Sequence, residues 1–389
     1  MKIIIYCQHV LGIGHFFRSL EICKALKDHD VFLVSGGTHV AAHVPDNVKE
    51  VRLPELMMDV NFKRFYTTLK DRSIDEIKSD RQIILLDLFK NQRPDCFLVE
   101  LYPFGRKAFR FELDPVLARI RNQDTHKCSV VCSLRDILVE KENTVTYEQR
   151  VVYSLNRYFD ALLIHSDPNV IRLDETFSRM DDIAIPHIYT GFVTAKPPAD
   201  IRSKFRSKLG IKNNEILIVT SAGGGKIGAH LLQAVLAAGE YMKPQRLLNI
   251  YCFAGPYMSE AEFERLQKVA GKSKRVQLSR FTNNFLSYIG AADLSVSMAG
   301  YNTCMNLLAT QVPSLVLPFT RNREQRMRAE RLSRLAAINV LEDQDLNPVR
   351  LAGIMTKILS DEKKPQSPID LNGAAYTAQW IDAWHRRSA

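Results

Sequence analysis

At 389 residues the chain exceeds the size at which a single hydrophobic core keeps growing, so two domains are expected. Apolar residues make up 46% and charged residues 25%, which excludes a disordered or fibrous chain. The net charge of +10 belongs entirely to the second half: residues 1–200 hold 27 Lys and Arg against 28 Asp and Glu, residues 201–389 hold 26 against 15.

No apolar run approaches the roughly 18 residues of a membrane span, and the opening residues read as a strand, so neither a spanning helix nor a signal peptide is expected. The seven cysteines are odd in number and form no C-x-x-C pair, which reads as reduced thiols. A cytoplasmic location is expected. A basic half suits nucleic acid, an anionic membrane surface or a phosphorylated small molecule. RNA-recognition signatures, zinc-finger spacing and a basic zipper are all absent, so nucleic acid is not an expected partner.

In chain order, the runs "KIIIYC" (2–7), "DVFLVS" (30–35), "DCFLVE" (95–100), "CSVVCS" (128–133) and "DALLIH" (160–165) read as strands. They are short, β-branched and apolar on both faces, as strands of a buried parallel sheet are. Amphipathic stretches such as "FFRSLEICKAL" separate them, so a doubly wound sheet is expected.

The first strand leads into "LGIGHFF" (11–17), which resembles half of a dinucleotide fingerprint. Phe17 stands where a third glycine is needed, and the second strand ends "LVSGGTH", with no acid for a ribose. NAD is therefore not expected. What remains is a glycine turn carrying His15 at a helix N-terminus, where the dipole favours a neutral imidazole able to accept a proton; the alternative is a helix cap. Asp136, in "CSLRDILVE", could orient that imidazole or cap the following helix. Arg135 beside it could meet an anionic acceptor. The stretch "LYPFGRKAFRFEL" (101–113) mixes aromatic and basic residues and could touch a lipid surface or pack as an ordinary loop and helix.

A linker is expected over "HIYTGFVTAKPPADIR" (187–202), where Gly191 and Pro197-Pro198 interrupt regular structure. The α/β alternation then resumes with "EILIVTS", "LLNIYCFAG", "RVQLSRF", "ADLSVSMAG" and "SLVLPF" as strands. In "VTSAGGGKIG" (219–228), Gly223, Gly224 and Gly225 free the backbone to approach an anion ahead of a helix, with Lys226 alongside. It is not a Walker A loop. "SMAGYNT" places Gly300, Tyr301, Asn302 and Thr303 at a second anion-receptive helix start. "PFTRNREQRMRAERL" follows with Arg321, Glu324 and Gln325 after a strand end, and its later arginines read as a solvated helix face. The D-x-D triplets at 28–30 and 343–345 read as solvated loops, so no metal and no cofactor are expected. A closing helix is expected at 373–389, packing back on the first domain.

These residues carry a resemblance. Gly-x-Gly-His after the first strand, the glycine loop of the second half, and "GYNT" with "PFTRNREQ" are similar to the GT-B glycosyltransferases, in particular the MurG-like group. The resemblance implies two Rossmann-like domains facing across a cleft: residues 1–190 for the acceptor and 200–372 for the donor. It implies inverting, metal-independent transfer from a nucleotide-diphosphate sugar, UDP-linked first among the candidates and N-acetylhexosamine among the sugars, to an acceptor that the sequence does not name. His15 would be the base. Gly14, Gly223, Gly224, Gly225, Lys226, Phe281, Thr282, Gly300, Tyr301, Asn302, Thr303, Asn306, Arg321, Glu324 and Gln325 would meet the donor. In one departure, Asn306 stands where the family commonly has a glutamate for the ribose. A sugar-nucleotide epimerase of the same fold and a non-catalytic nucleotide-sugar binder are the competing expectations; peripheral contact with a membrane also stays open.

Overall fold

The computed structural model describes all residues except 11–12, 41, 60–63, 125, 140–142, 243–246, 321–322, 362–367 and 389. The chain divides into two compact units, Met1–Val193 with Asp370–Ala389, and Thr194–Ile369.

The first unit begins β1 (Lys2–Cys7), α1 (Gly14–Ala25), β2 (Asp30–Ser35) and β3 (Val48–Arg52). A two-residue ribbon, β4 (Met57–Met58) with β5 (Phe65–Tyr66), precedes α2 (Ile74–Gln92) and β6 (Cys96–Glu100). Then come α3 (Arg110–Arg121), β7 (Ser129–Arg135), α4 (Thr144–Tyr158), β8 (Ala161–His165) and β9 (His187–Tyr189). Among the described residues the large sheet has seven parallel strands, ordered β3-β2-β1-β6-β7-β8-β9. Burial on both faces explains the apolar strand composition, with Ile3, Ile4, Leu98, Val99, Val130 and Leu163 all at zero exposure. His187–Tyr189, expected within a linker, is instead an edge strand paired with β8.

The second unit runs α5 (Ile201–Leu209), β10 (Ile216–Ser221), α6 (Ala229–Tyr241), β11 (Leu248–Phe253), α7 (Glu260–Ala270) and β12 (Val276–Ser279). It continues α8 (Phe285–Ala291), β13 (Leu294–Met298), α9 (Tyr301–Thr310), β14 (Ser314–Leu317), α10 (Arg323–Ser333), β15 (Ile338–Val340) and α11 (Pro348–Ser360). Its sheet is parallel throughout, ordered β12-β11-β10-β13-β14-β15. The last helix, α12 (Gly373–Ser388), belongs to the first unit. Its Ala378 and Ile381 join the core formed by Phe16, Leu20 and Ile22 of α1, and Trp384 donates to Ser129 Oγ at 3.2 Å.

Both sheets are doubly wound, and each has a point where the strand order reverses: between β1 and β6, and between β10 and β13. Connections leave those neighbouring strands toward opposite faces, which opens a crevice at their carboxyl ends. The loops that follow β1, β6, β10 and β13 lie there by construction.

A buried guanidinium fixes the walls of the first crevice. Arg81 of α2 is fully buried and binds Glu112 of α3 with two parallel bonds, at 2.8 and 2.7 Å. Its remaining donors reach the carbonyls of Gly36 and Pro54 and the side chain of Gln8, at 2.9, 2.8 and 2.6 Å. Tyr6 at the end of β1 donates to the same Glu112 carboxylate. One cation thus ties two helices to the loops after β1 and β2. A lone buried charge costs far more than a fully bonded pair, so Arg81→Met should lower stability by about 3–5 kcal/mol. In denaturant unfolding the midpoint should fall with little change in slope, and adding Glu112→Leu should recover much of the loss; equal instability of single and double variants would contradict the pairing.

Candidate active site

In the first unit, α1 begins at Gly14 with Ile13 as its cap and no side-chain cap bond, so His15 is not a capping residue. Its Nδ1 lies 2.7 Å from Glu100 Oε1 at the end of β6. The contact joins the two sides of the strand reversal, since β1 and β6 are paired. Arg18, one turn further along α1, donates to the same oxygen. The carboxylate hydrogen-bonded to His15 is therefore Glu100, and the expected pairing with Asp136 is corrected. Asp136 is fully buried just beyond β7, two strands from β1. It does not cap α4 either: Asn143 does, accepting from the Thr146 N–H at 3.1 Å. Arg135 is the last residue of β7, opposite His165 in register.

Burial alone would raise the Glu100 carboxyl, but His15, Arg18 and Arg106 outweigh it and hold it well below the usual carboxylate range. An ionised Glu100 accepts from the Nδ1–H of His15, which leaves Nε2 as the basic nitrogen. For His15 itself burial is the largest influence; with the charges of Arg106 and Arg18 it outweighs Glu100 and takes the imidazole down to about 3. The His15 side chain keeps 21% exposure against 1% for Glu100, so the ring sits at the surface of the crevice and its carboxylate beneath.

In the second unit the expected donor residues, those that the structure describes, lie on the loops and helix starts at the carboxyl edge of the sheet. After β10, Gly223 and Gly225 take left-handed φ values of +65° and +88°. Any Cβ on Gly225 would lie 2.5 Å from Ala254 O, and one on Gly255 would lie 2.5 Å from Gly223 O, so the loops after β10 and β11 touch backbone to backbone. Tyr257 N–H donates to Gly224 O at 3.0 Å, and Gly223 N–H to Ser221 Oγ at 3.0 Å. Among the described residues no backbone hydrogen bond engages the N–H of Gly224 or Lys226. The exposed Lys226 ammonium stands 5.9 Å from the centre of the Tyr257 ring.

After β13, Gly300 caps α9 with extended backbone and no side chain, ahead of Tyr301, Asn302 and Thr303. Since β10 and β13 are neighbours in register (Ser221 opposite Ser297), both glycine starts lie at one strand reversal. Phe281 and Thr282 follow β12, two strands away, and the Phe281 ring is 39% exposed. Asn306, on the second turn of α9, accepts from Thr194 Oγ at 3.4 Å. After β14, Gln325 accepts from Phe319 N–H at 3.1 Å, and Glu324 is buried in the first turn of α10. Arg321, like Gly12 of the first glycine turn, lies outside the described residues.

Three residues were missed by sequence reasoning. Glu100 ends a strand run, Tyr257 follows "FAG", and Arg328 sits in a run that reads as solvated. Arg328 is instead fully buried, its guanidinium 5.4 Å from the Tyr301 ring centre. The D-x-D at 343–345 is occupied with local structure: Asp345 accepts from Glu342 N–H and pairs with Arg350 at 2.7 Å.

Residues 218–379 match the glycosyltransferase family 28 C-terminal domain. A curated relative is the UDP-N-acetylglucosamine–N-acetylmuramyl-(pentapeptide) pyrophosphoryl-undecaprenol N-acetylglucosamine transferase of Carboxydothermus hydrogenoformans. It is 27% identical over 171 residues, 42% of this chain and 43% of that one. The chain spans less than half the length of the first curated relatives it matches. Among solved structures, MurG from Acinetobacter baumannii is similar over all of both chains, with 13% identity and a TM-score of 0.55. The S. aureus MnaA–UDP co-structure is similar over 99% of this chain and 97% of that one, with 13% identity and a TM-score of 0.61. These two likenesses carry the fold. The chain has the two-domain GT-B fold of these structures, and its residues 218–379 match the glycosyltransferase family 28 C-terminal domain.

Proposed function

We propose that the protein is a glycosyltransferase that moves a sugar from a nucleoside diphosphate, UDP first among the candidates, to an acceptor hydroxyl. The observation that carries this reading is the edge of the second sheet. Two left-handed glycines, the N–H groups of Gly224 and Lys226, the Lys226 ammonium and the glycine-capped start of α9 meet at one strand reversal. Such a site favours an extended anion, because helix starts and amide nests carry positive partial charge. The family 28 domain coincides with this edge. The relative's printed name adds UDP-N-acetylglucosamine as the first donor to test and a pyrophosphoryl-undecaprenol glycan as the first acceptor.

In this reading the transfer inverts the sugar and needs no metal. His15 takes the proton of the acceptor hydroxyl on Nε2, and Glu100 orients the ring and stabilises the cation that forms. Lys226 and the two glycine loops hold the diphosphate as it departs with its extra charge. Gln325, at the head of α10, faces the donor sugar, and the exposed Phe281 ring meets the base. Arg135 is kept as an acceptor contact.

Calorimetry of the full chain with UDP in the presence of EDTA tests the donor site. Binding is expected without metal, and Lys226→Gln should weaken it about tenfold or more, as loss of a charged hydrogen bond does. Absence of UDP binding, or binding that requires manganese, would overturn this reading. Gly225→Ala should remove UDP affinity while the fold persists, because its Cβ has no room against Ala254 and Met258.

Turnover tests His15. His15→Gln should lower the rate about 10²-fold or more with UDP affinity unchanged. Because its pKa is lowered, the imidazole stays neutral at neutral pH and protonates only as pH falls toward about 3. The wild-type rate should therefore hold between pH 7 and 5. Release of nucleoside diphosphate only when acceptor is present separates transfer from epimerisation of the donor.

A further inference from the structure

The turn after β11 is held at both ends, and it carries an aromatic ring onto the glycine loop after β10. Gly255 N–H donates to Arg280 O at 2.7 Å, and the Arg280 guanidinium donates back to Met258 O at 2.9 Å, so one residue clamps positions 255–258. That guanidinium is itself fixed. Its carbon lies 4.0 Å from the centre of the Phe263 ring, and its Nη2 pairs with Glu260. A planar guanidinium that is both stacked and bonded keeps its fork in one orientation. Met258 is buried, and Ser259 next to it caps α7 by accepting from Glu262 N–H. Tyr257 sits inside this clamp, with its own N–H on Gly224 O at 3.0 Å.

The half-buried Tyr257 ring faces two parts of the loop. A Cβ on Gly224 would lie 3.8 Å from Tyr257 Cδ2, so one ring edge rests beside that residue. The Lys226 ammonium stands over the ring, 5.9 Å from its centre. Lys226 is exposed and lies between β10 and α6, where a flexible four-carbon stem samples many rotamers. An aromatic face attracts an ammonium and at a wet site favours the contact about two- to fivefold. The ring therefore selects stem conformations that keep the charge at the glycine loop. A carboxylate in the same place would compete with an incoming anion for the ammonium. A ring leaves the charge uncancelled.

We propose that Tyr257 is a positioning residue of the second unit's anion site: clamped by Arg280, its ring holds the Lys226 ammonium in place before the ligand arrives. The inference rests on the transferase reading for calling that ligand a nucleoside diphosphate. Tyr257 acts only through Lys226. Ordering the stem in advance removes part of the entropy that binding would otherwise lose. The contribution of the ring must then vanish when the ammonium is absent, which a residue that merely packs the loop would not show.

A double-mutant cycle on the full chain tests this, with UDP titrated by calorimetry in EDTA. Tyr257→Leu keeps apolar bulk beside Gly224 and should weaken UDP about threefold. Tyr257→Phe keeps the ring face and should bind UDP as the wild type does. Adding Tyr257→Leu to Lys226→Gln should weaken binding no further. A second measurement needs no ligand. In protein labelled with ¹³C at lysine Cε, the Lys226 signal, assigned with Lys226→Gln, should move in Tyr257→Leu and stay in place in Tyr257→Phe. Equal losses of UDP affinity in Tyr257→Phe and Tyr257→Leu would assign the contact to the phenol hydroxyl and overturn the proposal. So would a threefold loss from Tyr257→Leu that persists in Lys226→Gln, or a Lys226 signal indifferent to Tyr257→Leu. A signal that moves in a protein that binds no UDP would uphold the placement of Lys226 and reject the nucleoside diphosphate reading.

Discussion

The buried carboxylate of Glu100 is the constraint around which the first unit's crevice is arranged. It is a buried anion at the end of a central strand, and a buried anion persists only where cations and donors replace water. Arg18 and His15, one helical turn apart on α1, supply that replacement on one oxygen. The arrangement follows from the sheet. Because β1 and β6 are neighbours whose connections depart in opposite directions, the first turn of α1 stands over the end of β6. A carboxylate ending β6 and a histidine starting α1 then meet without special loop geometry.

The second unit uses the same topology for a different purpose. At the β10–β13 reversal it places backbone N–H groups and one lysine instead of an imidazole and carboxylate. The contact between the loops after β10 and β11 explains why glycine is required at 225 and 255: each lacks space for even one carbon atom. The triple glycine is thus fixed by close packing as well as by what it could bind. The imidazole–carboxylate pair and the glycine amides fall in different units, and each grouping follows from one strand reversal.

Much of this was legible in the sequence, for a physical reason. Strands buried on both faces have to be apolar throughout, so β1, β2, β6 and β10 stand out as continuous runs. The edges do not. β3 reads "VKEVR" because its side chains reach solvent, and β9 and β15 have only three residues each. Missing β3 leaves the neighbour of β1 undefined, and that hides Glu100, which lies 85 residues from His15. Asp136 was the natural alternative, a carboxylate just after a strand, but strand order is a property of the whole chain and not of any stretch. The glycine loops were legible because left-handed backbone and close approach demand a particular residue. Arg328 was not, since a buried guanidinium over an aromatic ring resembles, in sequence, any arginine on a charged helix.

The central claim is that the carboxyl edge of the second sheet receives a nucleoside diphosphate on the amides of Gly224 and Lys226 and at the start of α9. Backbone ¹H–¹⁵N shifts followed during a UDP titration, with EDTA present, test it most directly. The account predicts saturable shifts that are largest at Gly224, Lys226 and Asn302 and small at His15. Saturable UDP binding that leaves Gly224 and Lys226 unmoved and shifts residues of the first unit instead would contradict it.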